Sequence, residues 1–181
     1  ESNFGFIQMR DNQTFGPVEV YTGQRPFGRF NHIRAVEGKR ELPFFRSRCK
    51  MIRGTEGSFF GAHPPAGANS TPLYIFNQHL CRPLRFYFES ESHTKLINTY
   101  RYVMDPRQFS ILKDPANWCY CPKEETVARC EGVLFMRQCL SGAPLALSNP
   151  HFFQNDRPLA RVRGLRPDAE HHQGYIELER T

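Results

Sequence analysis

Short stretches that alternate between apolar and polar residues dominate this chain, and a period of two is typical of β-strands with one buried face. In the clearest stretch, residues 84–88, the side chains of Leu84, Phe86 and Phe88 fall on one face. Similar strands are predicted at residues 4–9, 18–21, 30–36, 100–104, 132–136, 143–147 and 175–178. Because no helical periodicity is sustained over a long stretch, the pattern predicts a mainly β fold with short helices (β-rich α+β).

Glycine and proline separate these stretches, and Thr22-Gly23 and Glu37-Gly38 read as hairpin turns. Short helices are predicted at residues 124–128 and 158–163, the second of them behind Asp156 as its N-cap. Residues 54–72 are rich in Gly, Pro, Ala and Ser and predict a long irregular loop.

The composition is that of a folded domain, since 39% of the 181 residues are hydrophobic and 16 are phenylalanine. No apolar run approaches the roughly 20 residues of a membrane-spanning helix, and the N-terminus carries no secretory signal pattern. The chain begins at Glu1 and ends at Thr181, and we expect both ends to be cuts through a longer protein.

The six cysteines are Cys49, Cys81, Cys119, Cys121, Cys130 and Cys139. A zinc site would favour two Cys-x-x-Cys knuckles, whereas this chain has only a Cys-x-Cys pair and scattered spacings. Glycosylation sequons at Asn12 and Asn69 suit a secreted context, although Pro72 follows the second sequon closely. We therefore favour a disulfide framework in an extracytoplasmic protein over a metal site.

The net charge of +6 comes from one segment, because residues 29–53 hold eight basic residues against Glu37 and Glu41. A local basic segment on an extracellular domain favours anionic lipid, modified lipoprotein or polysaccharide as ligand over nucleic acid. The candidate residues of this anionic ligand patch are Arg29, Arg34, Lys39, Arg40, Arg46 and Arg48. A solvated face without a ligand is the alternative.

No catalytic motif is present, neither a Gly-x-Ser-x-Gly elbow nor a Gly-Lys-Ser/Thr phosphate loop. His171 and His172 are adjacent and point to different faces of any regular element, which makes them poor co-ligands of a metal. We interpret His151 as a packed structural histidine. An enzyme is therefore not expected.

Several motifs together are similar to the class B scavenger receptors, the family of fatty acid translocase and the lysosomal integral membrane proteins. Residues 49–57 read Cys-Lys-Met-Ile-Arg-Gly-Thr-Glu-Gly, close to the family's Cys-x-Met-Ile-Asn-Gly-Thr-x-Gly. Residues 164–172 resemble the family's Gly-Leu-x-Pro-Asn-x-Glu-x-His. Collinear matches also occur at residues 81–82, 100–102, 119–121, 132–134, 142–144, 148–152 and 175–178.

This resemblance implies an antiparallel β-barrel core with short helices and a lipid tunnel leading toward the membrane. Residues 1–181 would form a single, incomplete domain, the membrane-proximal second half of the ectodomain, with two membrane spans outside this chain. The implied disulfides are Cys49–Cys119, Cys81–Cys139 and Cys121–Cys130. Two departures are Arg53, where the family has a glycosylated Asn, and Leu140, where some fatty-acid-handling members have Lys.

The resemblance and the strand alternation together give candidate tunnel residues: Leu84, Phe86, Phe88, Phe135, Leu145 and Leu147. A closed core made of the same residues is the alternative. The implied function is a cell-surface receptor that binds lipids, fatty acids, lipoprotein particles, anionic phospholipid or a protein ligand. It would pass hydrophobic cargo to the plasma membrane without a cofactor. A lysosomal membrane receptor that carries a soluble hydrolase, with this domain in the lumen, and an extracellular adhesion module are the other candidates.

Overall fold

The structure is a computed structural model that describes residues 16–24, 27–61, 71–140, 142–155 and 162–180. Its centre is a four-stranded antiparallel sheet in the order β3-β4-β5-β8, flanked by the two-stranded pairs β1-β2 and β6-β7. The strands are β1 (Val18–Val20), β2 (Ile33–Val36), β3 (Leu73–Asn77), β4 (Arg82–Thr94), β5 (Ile97–Met104), β6 (Leu134–Phe135), β7 (Ala146–Leu147) and β8 (Tyr175–Glu179).

The long strand β4 runs through the middle of this sheet and shows the predicted alternation. Phe86 is buried, while Leu84 and Phe88 are half-buried and pack with it and Tyr102 in one hydrophobic cluster. Glu89 is an extra residue in β4, because Phe88 pairs with Tyr102 and the next pair is Ser90 with Arg101. Such a bulge increases the local twist and bend. The curled sheet forms a half-barrel, which confirms the predicted mainly β, barrel-like fold.

Two further hydrophobic clusters lie beside the sheet. One is built around Phe45 and Phe76 and includes three half-cystines. The other holds Phe109, Leu134 and Met136.

Helical segments are short, and the described residues include no helix long and apolar enough to cross a membrane. The 3₁₀ helices are Phe27–Arg29, Ser47–Lys50, Pro115–Tyr120 and Pro150–Phe152, and the α-helices are α1 (Val127–Cys130) and α2 (Ala169–His172). Asp114 and Asp168 cap two of these segments by accepting hydrogen bonds from the backbone N–H groups of Ala116 and Glu170.

The strands predicted at residues 30–36, 132–136 and 143–147 are present but shorter, as β2, β6 and β7. The predictions differ from the structure in four further places. The helix predicted at residues 124–128 begins later, at Val127. The pattern missed β3, because its inner residues Leu73 and Phe76 do not alternate strictly. The pattern also missed α2. Thr22-Gly23 is not a tight hairpin turn, since residues 21–32 connect β1 to β2.

The second predicted hairpin turn is confirmed at Glu37-Gly38. Val36 and Lys39 exchange backbone hydrogen bonds of 2.9 Å in each direction, and both turn residues have positive φ. The strand predicted at residues 4–9 and the cap Asp156 lie outside the described residues, as does most of the helix predicted at residues 158–163.

Three disulfides join the irregular segments to each other and to the sheet. They pair Cys49 with Cys119, Cys81 with Cys139 and Cys121 with Cys130, as the resemblance implies, and no cysteine of the described residues is free. The first bond connects the 3₁₀ helices Ser47–Lys50 and Pro115–Tyr120, and both of its half-cystines are buried.

Replacing Cys49 and Cys119 together by serine should lower the free energy of unfolding by about 4 kcal/mol, and replacing Cys121 and Cys130 by about 3 kcal/mol. The difference follows from loop length, since the two bonds span 70 and 9 residues. Chemical denaturation of the variants measures both values. Non-reducing peptide mapping of the unaltered chain tests the pairing, which a Cys119–Cys121 bond or free thiols would contradict.

Candidate functional site

An apolar cavity of about 310 Å³ lies where β4 and β5 meet the C-terminal part of the chain. Its walls come mainly from aliphatic and aromatic side chains, and its polar lining includes the buried Asn149, with His171 and His172 at the rim. The apolar lining residues are Leu80, Leu84, Met104, Phe109, Leu134 and Leu147. A concave apolar surface with a few polar groups at its edge is the usual form of a small-molecule site.

The predicted tunnel residues divide between this cavity and the packed interior. Leu84 and Leu147 line the cavity. Phe86 and Phe88 instead pack in the sheet cluster, where the Phe88 ring lies edge-on to Tyr102 with centroids 5.8 Å apart. Leu145 packs on the cluster of Phe109, and Phe135 pairs with Ala146. The structure therefore brings two of the six residues together at one cavity.

The rim of this cavity is held by hydrogen bonds around Asp168. Its carboxylate accepts from the Glu170 N–H at 2.7 Å and contacts the Nδ1 atom of His171 at 3.1 Å. These bonds, the backbone one first, lower the pKa of Asp168. The backbone N–H of Asp168 in turn donates to Nδ1 of His172 at 2.9 Å.

His151 lies at the surface against His172 rather than in a core. It is exposed, its ring stacks on His172 with centroids 4.3 Å apart, and its Nδ1 accepts a hydrogen bond from the Arg166 N–H. The prediction that His151 is packed in the interior is therefore wrong, because its side chain is exposed. The described residues include no cluster of His, Cys, Asp and Glu that could hold a metal ion.

A second apolar cavity, of about 240 Å³, lies against the Cys81–Cys139 disulfide. Leu42, Ile52, Phe76 and Leu140 contribute its apolar lining. Charged side chains at this cavity come from Glu37, Lys39 and Glu41. The Leu140 position thus presents an aliphatic group, and the cation at this cavity is Lys39 from the turn after β2.

All six residues of the predicted anionic ligand patch are exposed, yet they contact different neighbours. Arg34 forms a 3.7 Å ion pair with Glu19, and the guanidinium group of Arg46 lies 4.6 Å from the centroid of the Trp118 ring. Arg29 lies over Tyr21, and Arg48 lines a cleft that does not include the other five. Arg40 forms no ion pair with a described residue.

A buried ionic cluster, which the sequence pattern did not predict, lies on the face of β4 opposite Leu84 and Phe86. Arg85 pairs with the fully buried Asp105 at 2.5 Å and with Asp114 at 3.2 Å. Alternation placed Arg85 on the outer face, but only the packing of residues 105–117 over that face buries its partner. A charged residue opposite an apolar strand face is common on open sheets, so this signal was not specific.

Both predicted glycosylation sites, Asn12 and Asn69, lie outside the described residues.

Comparison with known proteins gives a match along the whole chain, because the model of the CD36 family covers residues 1–181. Lysosome membrane protein 2 of Rattus norvegicus is 30% identical over 178 residues, which are 97% of this chain and 36% of that protein. Sensory neuron membrane protein 1 of Helicoverpa assulta is 32% identical over 171 residues, which are 93% of this chain and 31% of that protein. The chain thus spans about a third of the length of these relatives.

If the basic residues act together on an anionic surface, the double variant Arg40→Glu and Arg46→Glu should bind anionic vesicles at least about tenfold more weakly. The reason is that each cation near such a surface contributes about 1 kcal/mol. Vesicle sedimentation at several salt concentrations measures the loss, which should shrink as salt screens the charges.

The matched control is Lys95→Glu with Lys123→Glu, since both lysines are exposed and lie outside the basic segment. Unchanged binding by the Arg40 and Arg46 variant, or an equal loss in the control, would favour the solvated-face interpretation.

Proposed function

The chain belongs to the CD36 family, and from this membership we propose that it is part of the extracytoplasmic domain of a membrane receptor that binds lipid. In this proposal residues 1–181 form the membrane-proximal second half of that domain. The complete protein resides in the plasma membrane or the lysosomal membrane. It binds fatty acids, lipids or lipoprotein particles and passes hydrophobic cargo toward the bilayer.

The apolar cavity beside β4 is the observation that carries this proposal. An acyl chain placed against Leu84, Met104 and Leu147 would gain about 0.8 kcal/mol for each methylene group removed from water. The histidines at the rim and Asn149 offer hydrogen bonds to a polar head group. Transfer along such a path is passive, and none of its steps needs a cofactor or a reacting side chain.

The cavity beside the Cys81–Cys139 disulfide supports the same function. Lys39 lies next to its apolar lining, and although Glu37 and Glu41 also line this cavity, the ammonium group of Lys39 can pair with a carboxylate attached to an acyl chain.

A receptor for a soluble hydrolase in the lysosomal membrane is the second candidate. The observation in its favour is the 30% identity with a lysosome membrane protein over nearly the whole chain. Under this alternative the domain faces the lysosomal lumen, and a protein is its main ligand.

Leu84→Trp and Leu147→Trp in the complete protein should reach the cell surface normally and take up lipid about tenfold more slowly. An indole that displaces two methylene groups removes roughly 1.6 kcal/mol of burial, and 1.4 kcal/mol is a factor of ten. Surface expression and uptake of a labelled fatty acid are measured separately.

Two variants serve as controls. Phe86→Trp overpacks a buried position and should reduce surface expression, whereas Leu96→Trp in the exposed turn after β4 should change neither quantity. If Leu84→Trp and Leu147→Trp are both retained inside the cell, or take up lipid at the normal rate, the cavity is not a lipid path.

An extracytoplasmic location predicts glycans at Asn12 and, less completely, at Asn69, because Pro72 follows the second sequon. Mass spectrometry of protein from eukaryotic secretory cells, before and after glycosidase treatment, measures the occupancy. Thr14→Ala, which removes only the sequon, should give the same loss of mass as Asn12→Gln. Unmodified Asn12 would count against this location.

A further inference from the structure

Arg82 is a buried cation without a carboxylate partner among the described residues. Its side chain is 3% exposed, one Nη atom donates to the backbone oxygen of Gln108 at 2.7 Å, and the guanidinium carbon lies 3.8 Å from the centroid of the Tyr120 ring. Its Nε atom has no hydrogen-bond partner. Burial lowers the pKa of Arg82 to about 10, so the group is still charged at neutral pH.

The aromatic neighbour does not neutralise this charge. Burial raises the pKa of Tyr120, so its phenol is uncharged at neutral pH. A buried charge that is neither paired nor fully hydrogen-bonded is strongly unfavourable, and native proteins compensate such charges with an opposite one. We therefore expect the anion that compensates Arg82 to come from outside the described residues.

Arg82 borders a cleft of about 50 Å³ whose other polar lining residues include Arg48, Arg53, Arg85, Gln108, Asp114 and Asn117. This space exceeds the roughly 10–15 Å³ that one water molecule requires. The Nε2 atom of Gln108 is a second buried donor without a partner. Its amide orientation is fixed, because Oε1 accepts a 2.9 Å hydrogen bond from the Arg85 N–H.

The charges around the cleft do not balance. Asp105 and Asp114 are both engaged by Arg85, and Asp105 also pairs with Arg107 at 3.0 Å. Arg48 and Arg53 form no ion pair with a described carboxylate, although Arg53 lies over the Tyr74 ring at 4.2 Å.

Three arginines, Arg48, Arg53 and Arg82, therefore remain uncompensated around one small cleft. Arg53 also contributes, after burial and Arg29, to the lowered pKa of His32, as a positive local field would.

The walls of this cleft are held in place by covalent and steric constraints. Arg48 lies beside Cys49, whose disulfide to Cys119 fixes the segment Pro115–Tyr120 opposite. Arg53 precedes Gly54, which has φ +98° and approaches the Tyr74 carbonyl so closely that a Cβ atom would lie 2.0 Å from its oxygen. The cleft is thus built before any ligand arrives, which reduces the ordering cost of binding.

We propose that this cleft, formed by Arg48, Arg53, Arg82 and Gln108, binds a phosphate group. Three unpaired guanidinium groups match a dianionic phosphate monoester better than a singly charged carboxylate. Guanidinium forks and an amide N–H are also the donors that phosphate oxygens take. The residues that line this cleft are different from those that line the apolar cavity, so the site does not depend on the lipid path proposed above. Free phosphate and the head group of a phosphatidic acid share the required chemistry.

Calorimetric titration of the complete protein in detergent with inorganic phosphate, at constant ionic strength, tests the site. We expect one phosphate per chain. Arg53→Gln changes an exposed residue and should raise the dissociation constant about tenfold or more, because it removes a charge-assisted hydrogen bond. The matched control Arg40→Gln removes the same charge from an exposed residue outside the cleft and should change the constant less than about twofold.

Arg82→Lys keeps the charge and removes the planar fork, and it should abolish measurable binding if the protein folds. If it does not fold, the double variant Arg48→Gln with Arg53→Gln replaces it, since both residues are exposed. Titration with a short-chain phosphatidic acid, beside the matching phosphatidylcholine, distinguishes a lipid head group from free phosphate as the source. Equal losses in Arg53→Gln and Arg40→Gln, or no phosphate binding by the unaltered protein, would overturn the proposal.

Discussion

The disulfides Cys49–Cys119 and Cys81–Cys139 are the constraint on which the rest of this structure depends. The segments that flank the sheet have short 3₁₀ turns and few backbone ladders, so hydrogen bonding within each segment cannot hold them in place. The two bonds tie residues 58 and 70 positions apart and place half-cystines in the cluster around Phe45 and Phe76. They restrict the conformations of the unfolded chain. In the native chain, Cys81–Cys139 borders the cavity of about 240 Å³, and Cys49–Cys119 holds the segment that carries Arg48 of the cleft.

Strand β4 contributes residues to two concave surfaces of different chemistry. Leu84 lines the apolar cavity, and alternation turns Arg85 to the other face of the strand. Arg85 there lines the arginine cleft, the cleft formed by Arg48, Arg53, Arg82 and Gln108. Phe86, the next residue on the apolar face, is buried in the sheet cluster and anchors the strand. Alternation accounts for Leu84 and Arg85, whereas Arg82, at the start of the strand, is held by its contacts with Gln108 and Tyr120. The two surfaces would suit an amphipathic cargo, or two separate ligands.

The effect of a charged side chain in this protein depends more on its burial than on how many other charges lie near it in sequence. The exposed arginines and lysines of residues 29–48 are partly neutralised or stacked on aromatic rings, so each contributes little alone. The Arg85–Asp105 pair and Arg82 lie in the interior, where water screens charges weakly and a missing partner has a large effect. This contrast is the physical reason for proposing the cleft, rather than the longer basic segment, as the phosphate site.

The sequence alone determined the strand character of the chain, because a period of two over residues 84–88 buries one face whatever the register. The positive-φ turn at Glu37-Gly38 is similarly local. The ordered motifs carried the family, and through it the disulfide pairs that the structure forms.

Only the tertiary structure decided which apolar residues of β4 fill the core and which line a cavity. Phe86 and Leu84 have the same pattern, yet the packing of β5 covers the first and the C-terminal segment leaves space beside the second. The arginine cleft was also beyond the sequence, because its residues come from segments separated by up to 69 positions, from Arg48 to Asn117. Burial and charge compensation are properties of the assembled neighbours of a residue, and no local pattern encodes them.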